Sequence, residues 1–270
     1  FTALKHAKGF TKTAALCGQT IVDTDYHHGE GSLQDAASLM AADWSNNLPI
    51  LKGSGNFGSR IVNQAAAARY TEVKVNPDFV KILMDNEDCP QAEGLIEPAF
   101  YLPLVPLIAI NGADGIAVGY ATKVLPRSIK DVQEFIAKIL AGKNADDHIK
   151  PTFPKFAGTV RRDESDLTRS SWFISGTIER GTSRNTLIVT ELPFTYDREK
   201  FIEILDSLID KGKIADYTDE TAKGRFKFEL KVSNDMMRLS ESEQLSELKL
   251  VVKMTENIVA ISPYGQITTY

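Results

Sequence analysis

Between residues 96 and 110 the chain is dense with large apolar side chains, yet Pro98, Pro103 and Pro106 interrupt it. No regular helix can run through such a stretch, because an interior proline removes a backbone donor and clashes with the preceding turn. It is expected to be buried extended chain, and the text on its two sides differs. Upstream the apolar spacing is helical. Residues 11–23 form one helix on Ala14, Ala15, Leu16 and Val22, and Ser32 with Asp35 starts a second, capped helix carrying Leu33, Ala36, Ala37, Met40 and Trp44. Helix, turn, helix is the minimum reading of residues 11–45. Gly53, Gly55 and Gly58 follow, then the small residues Ala65 to Ala68, and an extended Val73 to Val75.

Downstream, Gly112, Gly115 and Gly119 punctuate the chain. A helix is then capped by Ser128 and Asp131, lined by Val132, Phe135, Ile136, Ile139 and Leu140, and ended by Gly142. Residues 144–147 read as a linker. Strand patterns cover about 171–179, 185–192 and 225–232, separated by an amphipathic helix on Phe201, Ile204, Leu205, Leu208 and Ile209. A last hairpin is expected over residues 258–270, turning at Pro263-Tyr-Gly265. The class is α+β. A chain of 270 residues is expected to form two structural units.

Hydrophobic residues make up 43% and charged residues 25%, as in ordinary globular chains, and no apolar run approaches the ~18 residues of a membrane span. No signal peptide opens the chain, and Phe1 in place of Met suggests a piece of a longer protein. Cys17 and Cys89 lack zinc or CxxC spacing and read as reduced intracellular thiols. A net charge of −5 argues against a nucleic-acid binder. Residues 1–75, however, hold seven Lys and Arg against six Asp and Glu, so the acidic excess lies downstream, where it need not meet a phosphate backbone.

Three features could carry chemistry. A tyrosine has a pKa of ~10 and needs a cation or base to become a nucleophile; Tyr70 has Arg69 beside it. The dipeptide alone reads by default as a packed or surface tyrosine next to a solvated arginine. His27 and His28 could ligate a metal, though no Cys or carboxylate stands at a familiar spacing. They could as well be turn residues, or phosphate donors near a helix N-terminus. Gly53-x-Gly55-x-x-Gly58 lacks the ending of a phosphate loop and suits a turn where two backbones approach.

Taken together and in order, Tyr26-His-His-Gly-Glu30, Ser32-Leu33, Gly55-Asn-Phe-Gly-Ser59 and Ala66-Ala-Ala-Arg-Tyr70 closely resemble the cleavage domain of type IIA DNA topoisomerases. Glu97-Pro-Ala-Phe-Tyr-Leu-Pro103 and Asn111-Gly-Ala-Asp-Gly-Ile-Ala-Val-Gly119 extend the resemblance. Phe156-Ala-Gly-Thr159, Ile174-Ser-Gly176, Glu191-Leu-Pro193 and Thr255-Glu-Asn257 carry it weakly to the end. Bacterial gyrase A and topoisomerase IV place a proline between two histidines, whereas His27 and His28 are adjacent. That looks like the eukaryotic and T-even-phage branch, and most like the phage subunit.

The resemblance implies a winged-helix domain over 1–125 and an α/β tower domain over 126–270, without the coiled coil of the exit gate. It implies that Tyr70 attacks a DNA phosphodiester to leave a 5′-phosphotyrosine link, that Arg69 steadies the phosphoryl charge, and that His28, or His27, bonds a phosphate or attacking oxygen. Ile116 maps to an apolar wedge between base pairs; a strand isoleucine buried in the core is the alternative. Lys52, Arg60, Lys123 and Arg127 are candidate phosphate contacts, each equally readable as a surface charge. The acidic run Asp85, Glu87, Asp88 reads as a solvated face. Implied cofactors are Mg2+, held mainly by a TOPRIM domain outside this chain, and ATP, used by a separate ATPase domain. Implied partners are double-stranded DNA, a second copy of the chain, and a TOPRIM and ATPase subunit. No membrane is involved, and the location is the cytoplasm, that of a host cell if the gene is viral. A non-catalytic winged-helix DNA-binding module and a scaffold or interaction protein are the competing readings.

Overall fold

The computed structural model describes the chain except residues 84–88, 92, 95, 118, 145–147 and 167. The acidic run Asp85, Glu87, Asp88 and part of the linker at 144–147 thus lie outside the described residues. The chain forms two compact units, and each is discontinuous in sequence. The first takes Phe1–Ser59, Asn63–Gly112 and Pro126–Ile149; the second takes Arg60–Val62, Ala113–Leu125 and Lys150–Tyr270.

In the first unit, α1 (Thr2–His6), β1 (Thr11–Lys12), α2 (Thr13–Thr24) and α3 (Glu30–Ala41) precede β2 (Leu51–Ser54) and β3 (Glu72–Val75). The strands make one antiparallel sheet in the order β1-β3-β2. Leu16, Ala37, Leu51, Phe57 and Val73 form the core of α2, α3 and this sheet, which are the parts of a winged helix. The expected cap at Ser32 is corrected. α3 begins at Glu30 behind Gly29, and Glu30 accepts a hydrogen bond from the Gln34 side chain at 2.6 Å. The helix also ends at Ala41, so Trp44 lies beyond it and its indole N–H donates to the Phe57 carbonyl at 2.9 Å.

Among the described residues the unit also holds α4 (Pro77–Val80), α5 (Leu107–Asn111) and α6 (Ile129–Leu140). Ser128 caps α6 by accepting from the Asp131 N–H at 3.1 Å, as expected from the sequence. Leu48, Phe79, Val105, Ile110 and Val132 make a second core. That packing places α6 in the first compact unit. The proline-rich stretch is only partly buried. Pro98 and Val105 are inside, whereas Ile96, Phe100 and Leu104 are exposed, and Pro106 starts the short α5.

After Arg60–Val62 the second unit holds the hairpin β4 (Ala113–Ala117) and β5 (Tyr120–Val124), followed by β6 (Thr159–Arg162), β7 (Ser171–Ser175), β8 (Thr177–Arg180) and β9 (Thr186–Glu191). Then come α7 (Arg198–Asp210), β10 (Ile214–Asp219), β11 (Phe228–Val232), α8 (Asn234–Arg238), α9 (Glu241–Glu247), β12 (Val251–Thr255), β13 (Val259–Ile261) and β14 (Ile267–Thr269). The strand expected over 171–179 is two strands in different sheets, because β7 joins β12-β7-β6 and β8 joins β10-β11-β9-β8. Gly176 is the corner. A Cβ there would collide with the Glu191 carbonyl oxygen, so only glycine lets the backbones pass so closely. Phe201 and Leu205 of α7 are fully buried against Phe228, Leu230 and Val189. The β4–β5 hairpin belongs to this unit because Lys123 pairs through its backbone with Asn257. Among the described residues, no helix is long and apolar enough to cross a membrane.

Candidate functional site

Tyr70 ends a turn immediately ahead of β3, and its flanks are held at the start of α2. The first N–H groups of a helix have no partner inside it. Here Thr13 N–H donates to the Thr71 carbonyl at 3.0 Å, and Ala14 N–H to the Ala68 carbonyl at 3.3 Å. The Thr13 and Thr71 hydroxyls bond each other at 2.8 Å with both residues fully buried. Tyr70 N–H donates to Ala67 at 2.8 Å, closing the turn. Ala68 and Thr71 therefore point inward, while Tyr70 is 68% exposed. Sequence reasoning passes over Thr13 and Thr71, since two separated threonines carry no pattern that marks them as a pair.

Arg69 is exposed as well, and its guanidinium stands 4.7 Å from the centroid of the Tyr70 ring. That is within cation–π range. Upstream, Gly58 has positive φ, and a Cβ there would collide with the Asn63 carbonyl oxygen, the close approach that the glycines suggest. A cleft of about 500 Å³ lies between α3 and residues 63–68, lined by Gln34, Asp35, Ser38, Trp44, Asn63 and Gln64 among others.

His27 and His28 occupy the turn between α2 and α3, both exposed. His27 Nε2 is 3.3 Å from Asp25, and the His28 ring stands edge-on to Tyr26 with centroids 5.5 Å apart. Among the described residues, no hydrogen bond or ring contact joins either histidine to Arg69 or Tyr70. Lys52 on β2 is exposed and stands opposite Lys74 of β3 in register, an arrangement of like charges that an anion would relieve. Arg127 is half-buried; its Nε–H donates to the Ile149 carbonyl at 3.2 Å. Among the described residues, no group of three or more His, Cys, Asp or Glu is arranged to hold a metal ion.

In the second unit, Ile116 is 84% exposed near the end of the β4–β5 hairpin, opposite Ala121. The alternative of a core isoleucine is therefore overturned. Lys123 lies 3.3 Å from Asp114 on the neighbouring strand. Arg60 is a correction. It is 7% exposed, bonds Glu191 at 2.7 Å and the Leu192 carbonyl at 3.0 Å, and lies within 5.4 Å of the ring centroids of Phe156, Phe194 and Phe226. A guanidinium so enclosed cannot reach a phosphate. Burial pushes it down from its ordinary value, and Glu191 opposes that shift.

The whole chain matches the crystal structure of the Plasmodium falciparum topoisomerase II DNA-binding, cleavage and re-ligation domain with a TM-score of 0.88 at 27% identity, covering 39% of that chain. The fold is thus that of a type II topoisomerase cleavage domain. The model of the DNA gyrase/topoisomerase IV A-subunit family matches residues 1–269, and the chain belongs to that family. It is 38% identical to the DNA topoisomerase medium subunit of Enterobacteria phage T4 over 99% of its length, and spans 61% of that protein. It is 32% identical to the mitochondrial DNA topoisomerase 2 of Dictyostelium discoideum over 89% of its length, and spans 19% of that protein.

Proposed function

We propose that the chain is the DNA-cleaving part of an ATP-dependent type IIA topoisomerase, with Tyr70 as its nucleophile. The observation that carries this reading is the exposed Tyr70, held on a rigid turn with Arg69 over its ring, in a chain of this family. The Tyr70 Oη attacks a backbone phosphorus and gives up its proton. The bond from phosphorus to the 3′-oxygen breaks, the 3′-oxygen takes a proton, and the protein is left joined to the 5′-phosphate. Religation reverses each step. Because one phosphodiester is exchanged for another, the break needs no outside energy to reseal.

Arg69 stabilises charge on the nonbridging oxygens, a task suited to a fixed fork of donors. His28, or His27 beside it, donates to a phosphate or attacking oxygen. Ile116 enters the base stack as a wedge, since an isoleucine this exposed on a narrow hairpin has no core to fill; wedge insertion costs a few kcal/mol of unstacking. Lys52 contacts backbone phosphate, and Lys123 and Arg127 do so more weakly because each has a partner within the chain. Mg2+ neutralises phosphoryl charge when bound; no described cluster here fits it, and its carboxylates are assigned to a TOPRIM domain in another part of the enzyme. ATP is likewise assigned to an ATPase domain elsewhere. The working enzyme pairs two copies of this chain, and if the gene is viral it acts in the host cytoplasm. The winged-helix domain spans residues 1–125 and the tower domain residues 126–270. The test is capture of DNA linked through its 5′ end to Tyr70 by the assembled enzyme; a non-catalytic winged-helix module binds DNA without ever forming that link.

A further inference from the structure

Glu256 and Asn257, which follow β12, hold the hairpin that carries Ile116. Glu256 is 8% exposed. One carboxylate oxygen accepts from the Leu125 N–H at 2.8 Å, at the foot of β5. The other accepts from the Ser170 hydroxyl at 2.6 Å and the Trp172 indole N–H at 3.2 Å, and Trp172 belongs to the central strand of its sheet. Both oxygens are thus satisfied by groups of the unit's own core.

Asn257 acts nearer the tip. Its backbone exchanges two hydrogen bonds with Lys123, at 2.7 and 3.0 Å. Its side-chain N–H donates to the Ala121 carbonyl at 2.6 Å. Ala121 is the residue directly opposite Ile116. Thr122 adds to the clasp, its hydroxyl meeting the Asn257 carbonyl at 3.3 Å and the Val259 N–H at 3.2 Å. An isolated two-stranded hairpin is marginal in water, and an apolar wedge forced between bases pushes back on the strand that bears it. A hairpin anchored at its foot alone would yield.

From this geometry we infer that Asn257 is a positioning residue for the wedge: its carboxamide fixes Ala121, and through that cross-strand pair sets the attitude of Ile116, with Glu256 anchoring the base. The inference rests on the reading of Ile116 as a wedge.

The experiment uses the assembled enzyme, a divalent ion and a duplex labelled at both ends for fluorescence energy transfer. Binding, bending and cleavage are read for the parent, Ile116→Ala, Asn257→Ala, Asn257→Gln and the Ile116→Ala/Asn257→Ala double variant. Asn257→Ala leaves the backbone bridges in place, so the fold should persist. The bent population is expected to fall roughly fivefold, the equivalent of one net hydrogen bond, with affinity nearly unchanged. A duplex already kinked by a small bulge should restore cleavage, which a merely damaged fold would not allow. Asn257→Gln, which keeps an N–H donor, should recover much of the bending, and the double variant should be no worse than Ile116→Ala, since coupled residues are not additive. Parent-like bending in Asn257→Ala, where Ile116→Ala has lost it, would overturn the inference and leave the wedge standing. A cleavage loss that the kinked duplex does not restore would also overturn it. Parent-like bending in Ile116→Ala would remove the wedge, and the inference with it.

Discussion

Arg60 and Glu191 form a buried ion pair at 2.7 Å inside the second unit, with side chains 7% and 10% exposed. Removing one partner strands the other charge away from water. Arg60→Met or Glu191→Ala should therefore destabilise the protein by about 3–5 kcal/mol, the range for a broken buried pair. Arg60→Lys should cost less but not nothing, because an ammonium cannot reach both Glu191 and the Leu192 carbonyl as the fork does. Urea denaturation of each variant checks this. A loss of DNA affinity in Arg60→Lys without a loss of stability would contradict the structural role.

Asp163 gives the pH dependence. It is 4% exposed, 2.6 Å from the Lys253 ammonium, and accepts from the Ser165 hydroxyl and N–H. Lys253 first, then Ser165, holds this carboxylate well below the usual range. A depressed acid stabilises the fold fully above its unfolded pKa of ~3.9 and loses that contribution as pH falls toward its folded value. The stability gap between the parent and Asp163→Asn should therefore be widest near neutral pH and close below about pH 4. Thermal unfolding across pH 2.5–7 would measure it, and a gap that widens with acid would refute the assignment.

What could be read from the sequence follows physical range. Local signals served well: the Ser128 cap, the α7 stripe on Phe201, Leu205 and Leu208, and the hairpin at residues 259–269 all form as expected. The resemblance blocks singled out Arg69 and Tyr70, and the structure brings those two together. Arg60 is not legible as a core residue, because its partner Glu191 is far along the chain and charge alone reads as surface. Gly176 hid a change of sheet inside one apolar run, since a corner between sheets depends on Glu191, not on the residues beside it. That each compact unit takes non-adjacent segments is not legible in the sequence, because it depends on contacts between distant residues such as Lys123 with Asn257.

Lys52 stands exposed across from Lys74. If it meets a phosphate, Lys52→Ala should weaken DNA binding about equally for all sequences and lower the salt slope of binding by about one. Titrations of several duplexes at a series of salt concentrations decide it; an unchanged slope would return Lys52 to the free surface.

Among the described residues no His, Cys, Asp or Glu group is arranged to hold a metal ion. Cleavage by this chain should require a divalent ion and an added TOPRIM-bearing subunit. Efficient ATP-dependent strand passage by the purified chain alone would contradict that division.

Tyr70 is 68% exposed, so Tyr70→Phe removes a hydroxyl from a largely solvent-facing side chain and should leave stability and DNA binding close to the parent. Arg69→Lys should slow cleavage without abolishing it, as a point charge replaces a fork. The direct measurement is covalent capture: the complete enzyme is assembled, end-labelled DNA is cleaved, the mixture is denatured, and protein attached to the 5′ end is counted. Parent enzyme should yield the adduct and Tyr70→Phe should yield none. Adduct at the parent level in Tyr70→Phe would show that another residue is the nucleophile.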